Sequence, residues 1–182
     1  MNSSTCRLIP LLACCLLLAA CGDPAAPTPK PAPSEFTRED TGYFCGMIVE
    51  DHAGPKSQIK LADNVTTLWF TTTRDGIAFQ RLPEETRPIL VFYVTAIDRG
   101  GWEHPEGDPA NMIEAHLAWY VIGSSRLGSM GAPEAIPFST GEAAEHFAGE
   151  FGGEVKRLAD IPDSYILGPP PDQPDVHSGH DR

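Results

Sequence analysis

FTTTRDGIAF, residues 70–79, and FSTGEAAEHF, residues 138–147, align without gaps within a chain of 182 residues. Each stretch opens with a phenylalanine that closes an apolar run, and each continues with hydroxyl residues, which are favoured at helix N-caps. Runs rich in β-branched and aromatic residues come before and after both stretches, which is typical of strands. The repeat therefore predicts two halves, each made of two strands, a helix and a third strand.

Both predicted helices carry a start signal, and the second also carries a stop signal. Thr72 and Asp75 have the spacing of a capping box, and so do Ser139 and Glu142. The glycine pair at 152–153 is expected to end the second helix, because glycine readily adopts left-handed backbone.

The predicted strands are the apolar runs around these helices. In chain order they are YFCGMIV (43–49), QIKLADNVTTLWF (58–70), ILVFYVTAI (89–97), AHLAWYVIGS (115–124), AIPF (135–138) and EVKRLADI (154–161). We therefore expect an α+β fold of two ββαβ-like halves, residues 41–99 and 112–162. An antiparallel-rich sheet with helices packed on one side is the arrangement that this pattern favours.

The first 21 residues have the features of an export signal. Arg7 precedes an apolar run that is too short for a membrane-spanning helix, and the ending LAAC, residues 18–21, resembles a bacterial lipobox. Cleavage there leaves Cys21 as a lipidated N-terminus that anchors the protein to a membrane. The alternative is an ordinary signal peptide that is cut near Ala20.

Composition divides the rest of the chain into a tether, one domain and a tail. Residues 22–40 are rich in proline and alanine, which predicts a semi-rigid tether. Residues 41–168 are long enough for one domain with its own core. Residues 169–182 predict a disordered tail. His177 and His180 in that tail are three residues apart and could hold a divalent ion weakly, but a flexible polar tail is the favoured interpretation.

The chain is acidic, and this charge argues against some classes of binding partner. Without the signal it keeps 12 basic and 25 acidic residues, a net charge near −13. This excess argues against nucleic acid as a partner and against electrostatic attachment to anionic lipid. The sequence contains no P-loop, G-x-S-x-G or H-E-x-x-H fingerprint, so it does not read as an enzyme.

Cys45 is the one thiol that remains after processing. Cys6, Cys14 and Cys15 leave with the signal, and Cys21 becomes a thioether. Cys45 therefore has no partner for a disulfide within the mature chain, although an oxidising compartment would favour one.

Soft sulfur donors lie close to Cys45 in the sequence. If residues 43–49 form a strand, Cys45 and Met47 point to the same face. A thiolate and a thioether together select Cu(I), whereas a structural zinc site usually takes four nitrogen or thiolate ligands. Met130, in a turn-like segment, is a second candidate thioether ligand. The alternative for all three residues is that they pack in or against the core.

Two histidines are further candidates. His116 lies in a predicted alternating strand and His146 lies on the second predicted helix. Either could complete a metal site, or could serve as the base that a catalytic Cys45 would need. Each is more often a surface residue than a ligand.

Six features occur in one order along the chain: the lipobox, the proline-rich tether, CGM at 45–47, AWYVIGS at 118–124, MGAPEAIPF at 130–138 and A-x-x-F-x-x-EFGGEV at 144–155. Together they resemble the NosL proteins, which are accessory lipoproteins for nitrous oxide reductase. The resemblance covers nearly all of residues 41–162.

The resemblance implies a periplasmic Cu(I) chaperone, anchored to a bacterial membrane, that supplies the copper centres of nitrous oxide reductase together with its copper-site maturation machinery. It also implies a fold similar to the C-terminal region of organomercurial lyases. Cys45, Met47 and Met130 are the copper ligands that the family motifs imply. A further cysteine, common in the family shortly before CGM, is absent here. Two alternatives stay open: a metal-free scaffold lipoprotein of an enzyme maturation complex, and a thiol-dependent enzyme related to organomercurial lyase.

Overall fold

The computed structural model describes residues 30–63, 66–103 and 107–168. The predicted signal with Cys21, and the tail with His177 and His180, lie outside the described residues. Within the described ranges, no helix combines the length and the apolar character needed to cross a membrane.

Seven strands form two antiparallel sheets in the described part of the chain. They are β1 (Ser57–Leu61), β2 (Thr67–Phe70), β3 (Ile89–Thr95), β4 (Met112–Glu114), β5 (Trp119–Ile122), β6 (Ile136–Phe138) and β7 (Glu154–Arg157). The helices are α1 (Thr73–Arg81), α2 (Ile97–Gly100), α3 (Gly141–Phe151) and α4 (Asp163–Leu167). The strand order is β2-β1-β3-β4 in the first sheet and β6-β5-β7 in the second. The predicted α+β class with antiparallel pairing is confirmed.

The two halves share one topology. The first runs β1-β2-α1-β3 and the second runs β5-β6-α3-β7, and in each sheet the first strand lies between the second and the third. The first half also gains β4, which pairs with β3. The halves therefore form two separate sheets instead of a single one.

The main apolar core lies between the two sheets and includes α1. Ile59 and Phe92 of the first sheet, Ile77 of α1, and Tyr120 and Ile122 of β5 belong to one buried cluster. The residue between the last two, Val121, faces the opposite side of β5, where it packs in a second cluster with α3. This alternation follows from the two-residue period of a strand. The two longer helices, α1 and α3, thus each cover one face of their own sheet.

The start signal of α1 is confirmed, and that of α3 is displaced by one residue. Thr72 is the N-cap of α1, and its hydroxyl accepts a hydrogen bond from the Asp75 amide at 3.0 Å. In α3 the N-cap is Thr140 instead of Ser139. Ser139 is unavailable because its amide donates to Asp98 at 2.8 Å and its hydroxyl bonds the same carboxylate.

The predicted strand at residues 43–49 is wrong, because this segment forms a tight turn. The Gly46 amide donates to the Gly42 carbonyl at 2.7 Å, and the Gly42 amide donates to the Met47 carbonyl at 2.9 Å. Gly46 has a φ of +67°, which is left-handed backbone that glycine adopts without a Cβ clash. The first two strands of the half are instead β1 and β2, which together occupy the second predicted run, with β1 starting one residue earlier.

Part of the segment predicted as a tether packs against the first sheet. Phe36 is buried and meets Trp69 edge to face, with ring centroids 5.7 Å apart. The Tyr93 hydroxyl donates to the Pro31 carbonyl at 2.9 Å. Residues 31–36 therefore cover the face of this sheet that does not contact α1.

Gly153, just after α3, combines left-handed backbone with a close backbone contact. Its φ is +101°, and a Cβ there would lie 2.6 Å from the Ile122 carbonyl oxygen. We expect Gly153→Ala to lower the free energy of unfolding by about 2 kcal/mol, because left-handed strain and a backbone clash add. Gly149→Ala, in open space on α3, should be neutral or slightly stabilising. Urea unfolding measures both, and equal stabilities would contradict the prediction.

Candidate metal site

The Cys45 turn, residues 41–48, is fastened to the edge of the first sheet. The Tyr43 amide donates to the Trp69 carbonyl of β2 at 2.7 Å, and Thr41 and Ile48 pair with each other across the turn. Cys45 is half-buried, and its Sγ lies 3.5 Å from the hydroxyl of Thr71, the residue that follows β2. The thiol is therefore held in place and still partly open to solvent.

The sulfur of Cys45 occupies space that Gly42 leaves free. A Cβ at Gly42 would lie 2.6 Å from Sγ and 3.1 Å from the Thr71 side-chain methyl. We expect Gly42→Ala to displace the sulfur and to lower metal affinity by about 10-fold, the size of effect that loss of an outer support has at metal sites. Competition with a chelator measures the affinity, and Gly149→Ala is the matched control. Unchanged affinity in Gly42→Ala would show that the sulfur position does not matter.

Met47 lies in the same turn, two residues after Cys45, and is half-buried. The expectation that the two side chains share a strand face no longer applies, because Gly46 bends the backbone between them. The two residues are therefore linked by their positions in one short turn and not by a shared strand face.

Met130 is held in an unusual backbone conformation. Its φ is +60° and its ψ is 20°, and it is the one non-glycine residue in left-handed backbone within the described ranges. This conformation costs about 1 to 2 kcal/mol for a residue with a Cβ. The side chain is 65% exposed, so it contributes little to the core. Such strain at an exposed position motivates a functional hypothesis.

The Cys45 turn and the Met130 loop, residues 128–134, meet the same end of α1. Thr71, which touches Cys45, directly precedes the N-cap of this helix. The amide of Arg74, in the first turn of the helix, donates to the Glu134 carboxylate at 2.8 Å. Two segments that are far apart in the sequence are thus attached to one short stretch of backbone.

Glu134 and Lys56 place two ionisable side chains in the interior beside this attachment. Burial raises the pKa of Glu134 to about 8, although the amides of Arg74 and Ala135 hydrogen-bond its Oε1. Burial lowers the pKa of Lys56 to about 8, and the attraction of Glu134 opposes this shift. Lys56 Nζ donates to the carbonyls of residues 53 and 54. Glu134 Oε2 has no hydrogen-bond partner among the described residues.

Two aromatic rings next to the thiol face solvent. Tyr43 and Phe44 are each 47% exposed, and their rings lie 5.4 Å apart. Both also contact Phe70 and Phe79, which are buried. Two partly exposed aromatic rings thus precede Cys45 in the same turn, and the core supports both from below.

The structure places the two candidate histidines elsewhere. His116 lies in a one-turn 3₁₀ segment, not in the strand predicted, with its Nδ1 3.3 Å from Glu114. It lines a cleft with Gln80, near the C-terminal end of α1, whereas Cys45 and Met130 belong to the N-terminal end. Those ends are roughly 12 Å apart at 1.5 Å per residue. His146 is exposed on α3, 3.9 Å from Glu150.

The candidate ligands that the sequence indicates are sulfur atoms. Among residues 30–63, 66–103 and 107–168, no three His, Cys, Asp or Glu side chains are grouped so that they could hold a metal. The donors that remain are one thiol and the thioethers of Met47 and Met130, which suit Cu(I).

Sequence reasoning missed Thr71 and Glu134. Thr71 belongs to a run of three threonines, of which only Thr72 carried a recognisable cap signal. Glu134 is a single acidic residue within the segment MGAPEAIPF, and acidic residues are mostly exposed, so no sequence signal indicated its burial.

Comparisons with known proteins agree with one another. A family model described as NosL matches residues 33–166. The chain is 43% identical over 165 residues to a protein named copper-binding lipoprotein NosL from Achromobacter cycloclastes, covering 90% of this chain and 83% of that protein. It is 33% identical over 144 residues to the protein of the same name from Stutzerimonas stutzeri, covering 79% of this chain and 73% of that one. The crystal structure of the copper chaperone NosL from Shewanella denitrificans superposes with a TM-score of 0.68 at 30% identity, covering 75% of this chain and 99% of that chain.

Proposed function

This chain belongs to the NosL family, and on that premise we propose that it is a Cu(I) chaperone. We further propose that it is a periplasmic lipoprotein, anchored to a bacterial membrane through Cys21. Its cargo is copper for the copper centres of nitrous oxide reductase, and its partners are that enzyme and the machinery that matures its copper sites. The relatives named above are a copper-binding lipoprotein and a copper chaperone, neither of which is the name of an enzyme.

One observation carries the proposal: a half-buried thiol and an exposed, strained methionine lie on two segments that attach to the N-terminal end of α1. We propose Cys45, Met47 and Met130 as the ligands. A thiolate and two thioethers give Cu(I) the soft donors that it prefers. Because the Met130 side chain is exposed, it can reach toward the thiol or swing away without disturbing the core.

The proposed transfer is a ligand exchange. Copper binding displaces the proton of the Cys45 thiol, since the thiolate is the ligand. Three sulfur donors leave Cu(I) open to a ligand from the acceptor, which attacks while Met130 departs. The rings of Tyr43 and Phe44 form an apolar border that an acceptor could cover, and exclusion of water there would protect the exchange.

The proposed likeness to the C-terminal region of organomercurial lyases is supported by the ββαβ order that both halves share. We do not extend that likeness to catalysis. The described contact of the Cys45 sulfur is with the Thr71 hydroxyl, and a hydroxyl cannot serve as the base that a catalytic thiol needs.

Copper transfer to a copper-free acceptor tests the function directly. The chain loaded with Cu(I) should build the optical spectrum of copper centres in copper-free nitrous oxide reductase, and Cys45→Ser treated in the same way should not. Gly149→Ala, a surface variant, serves as the control for handling. Equal transfer by all three proteins would contradict the chaperone proposal and would favour a metal-free scaffold.

A further inference from the structure

We propose that Glu134 is a positioning residue for copper: its buried carboxylate fastens the Met130 loop to the N-terminal turn of α1 and thereby keeps Met130 within reach of Cys45. The inference rests on the proposed copper site. It concerns a residue that contacts neither copper nor the acceptor and acts through the backbone.

The carboxylate makes a specific connection between two segments. Its Oε1 accepts from the Arg74 amide at 2.8 Å and from the Ala135 amide at 2.8 Å. The first four amides of a helix have no partner within the helix, so an acceptor from another segment satisfies one of them. Glu134 is only 2% exposed, so in the intact protein this connection is shielded from solvent.

The loop is folded closely over this carboxylate. A Cβ at Gly128 would lie 2.9 Å from Glu134 Oε2 and 3.1 Å from its Cβ, so the first residue of the loop lies against the side chain. The loop then closes through hydrogen bonds from the Gly128 amide to the Ala132 carbonyl at 2.8 Å and from the Gly131 amide to the Gly128 carbonyl at 3.1 Å. Met130, with its left-handed backbone, is within this closed segment.

A second anchor holds the backbone of Glu134 independently of its side chain, so a variant that lacks the carboxyl group should still fold. The Tyr165 hydroxyl donates to the backbone carbonyl of Glu134 at 2.8 Å, and it accepts from the Gly123 amide at 3.0 Å. This contact survives when the side chain of Glu134 is shortened. Loss of the carboxylate should therefore loosen residues 128–132 while the C-terminal end of the loop stays attached.

The stretch of backbone to which the Met130 loop is fastened also contacts Cys45. Thr71, whose hydroxyl touches the Cys45 sulfur, is followed directly by the N-cap Thr72. The Thr72 carbonyl accepts from the buried Ser57 hydroxyl at 2.9 Å, so this backbone is fixed to β1. Thr71 and Arg74 are thus held in one rigid stretch, and a loop fastened to Arg74 has a defined position relative to the thiol.

Hydrogen exchange of the copper-free protein gives the first test. The full chain is expressed with its own signal and purified from membranes in detergent. We expect Glu134→Ala to speed exchange of the Gly128 and Gly131 amides by about 10-fold, with α1 and both sheets unchanged. Glu134→Gln keeps an oxygen acceptor for the Arg74 amide and should restore slow exchange. Unchanged exchange in Glu134→Ala would overturn the inference.

Copper competition gives the second test. We expect Glu134→Ala to lower Cu(I) affinity by about 10- to 100-fold, as loss of outer-shell supports does, and Glu134→Gln to stay close to wild type. In a Met130→Ala background, Glu134→Ala should have no additional effect, because the ligand that it positions is already absent. Additive losses would overturn the inference, since they would mean that Glu134 acts through general stability.

Arg81→Ala is the matched control for a lost tertiary anchor. Arg81 donates to the carbonyls of Leu158 and Ile161 at the other end of α1, so its loss should destabilise the fold without changing Cu(I) affinity. If Cys45→Ser bound Cu(I) as tightly as wild type, the proposed copper site would be overturned. The hydrogen-exchange experiment would still show whether Glu134 holds the Met130 loop. Dependence on Cys45 with no effect of Glu134→Ala would overturn only the inference.

Discussion

Cys45→Ser is expected to lower the Cu(I) affinity of this chain by more than about 100-fold. Loss of a residue that only supports a ligand costs about 10- to 100-fold in affinity at metal sites, and Cys45 is proposed to bind the metal itself. A hydroxyl at the same position is a hard, protonated group that Cu(I) does not favour. Serine is close to cysteine in size and the turn is held by backbone hydrogen bonds, so the turn should keep its shape and the free energy of unfolding should change by less than about 1 kcal/mol.

Anaerobic competition against a Cu(I) chelator, with wild type and Cys45→Ser measured side by side, decides this prediction. The other cysteines of the chain are the same in both proteins, so they cannot produce the difference. Met112→Leu removes a sulfur from a buried site outside the proposed ligand set and serves as the control. If Cys45→Ser bound copper as tightly as wild type, Cys45 would be a packing residue and the ligand assignment would fail.

The fold was largely predictable because its main signals are local. The Thr72 cap, the β-rich run at 89–97 and the glycine pair after α3 each act within a few residues, and all three correspond to observed elements. The repeat then ordered these elements into halves. The same local reasoning failed at Ser139, because a tertiary bond to Asp98 takes its hydroxyl away from the helix end.

The candidate site was predictable in its residue types but not in its geometry. Soft donors at 45, 47 and 130 could be recognised from their chemistry alone. The YFCGMIV run has the composition of a strand, yet Gly46 and the hydrogen bonds around Gly42 turn it back on itself. Which loops come together depends on the pairing of the Arg74 amide with Glu134, sixty residues apart, and no local pattern encodes that contact.

The histidine candidates illustrate the same limit. His116 was expected in a strand that could present it to the site, and the chain instead forms a 3₁₀ turn there that pairs it with Glu114. A histidine can be recognised in the sequence as a possible metal ligand. Whether it lies near Cys45 depends on tertiary packing, which the sequence pattern does not give.

The second large effect is expected at Met130. Substitutions there should weaken copper binding to a similar extent but should differ in their effect on stability. Met130→Ala and Met130→Gly both remove the thioether, and we expect each to weaken Cu(I) binding by about 10- to 100-fold, within the range that a lost support produces. The two variants differ in backbone freedom. Alanine keeps the cost of left-handed backbone, whereas glycine has no Cβ and escapes it. Met130→Gly should therefore be more stable than Met130→Ala by about 1 kcal/mol.

Urea unfolding and chelator competition on the same samples test both parts of this prediction. Because the side chain of Met130 is 65% exposed, neither variant should lose core packing, so any weakening of copper binding would reflect the missing donor. Met130→Leu removes the sulfur while keeping an apolar side chain of similar size, and should bind copper as weakly as Met130→Ala. Wild-type affinity in Met130→Leu would mean that the residue contributes shape and not sulfur. Equal stability of the glycine and alanine variants would mean that the left-handed backbone at this position carries no strain, and the structural reason for placing a methionine there would be lost.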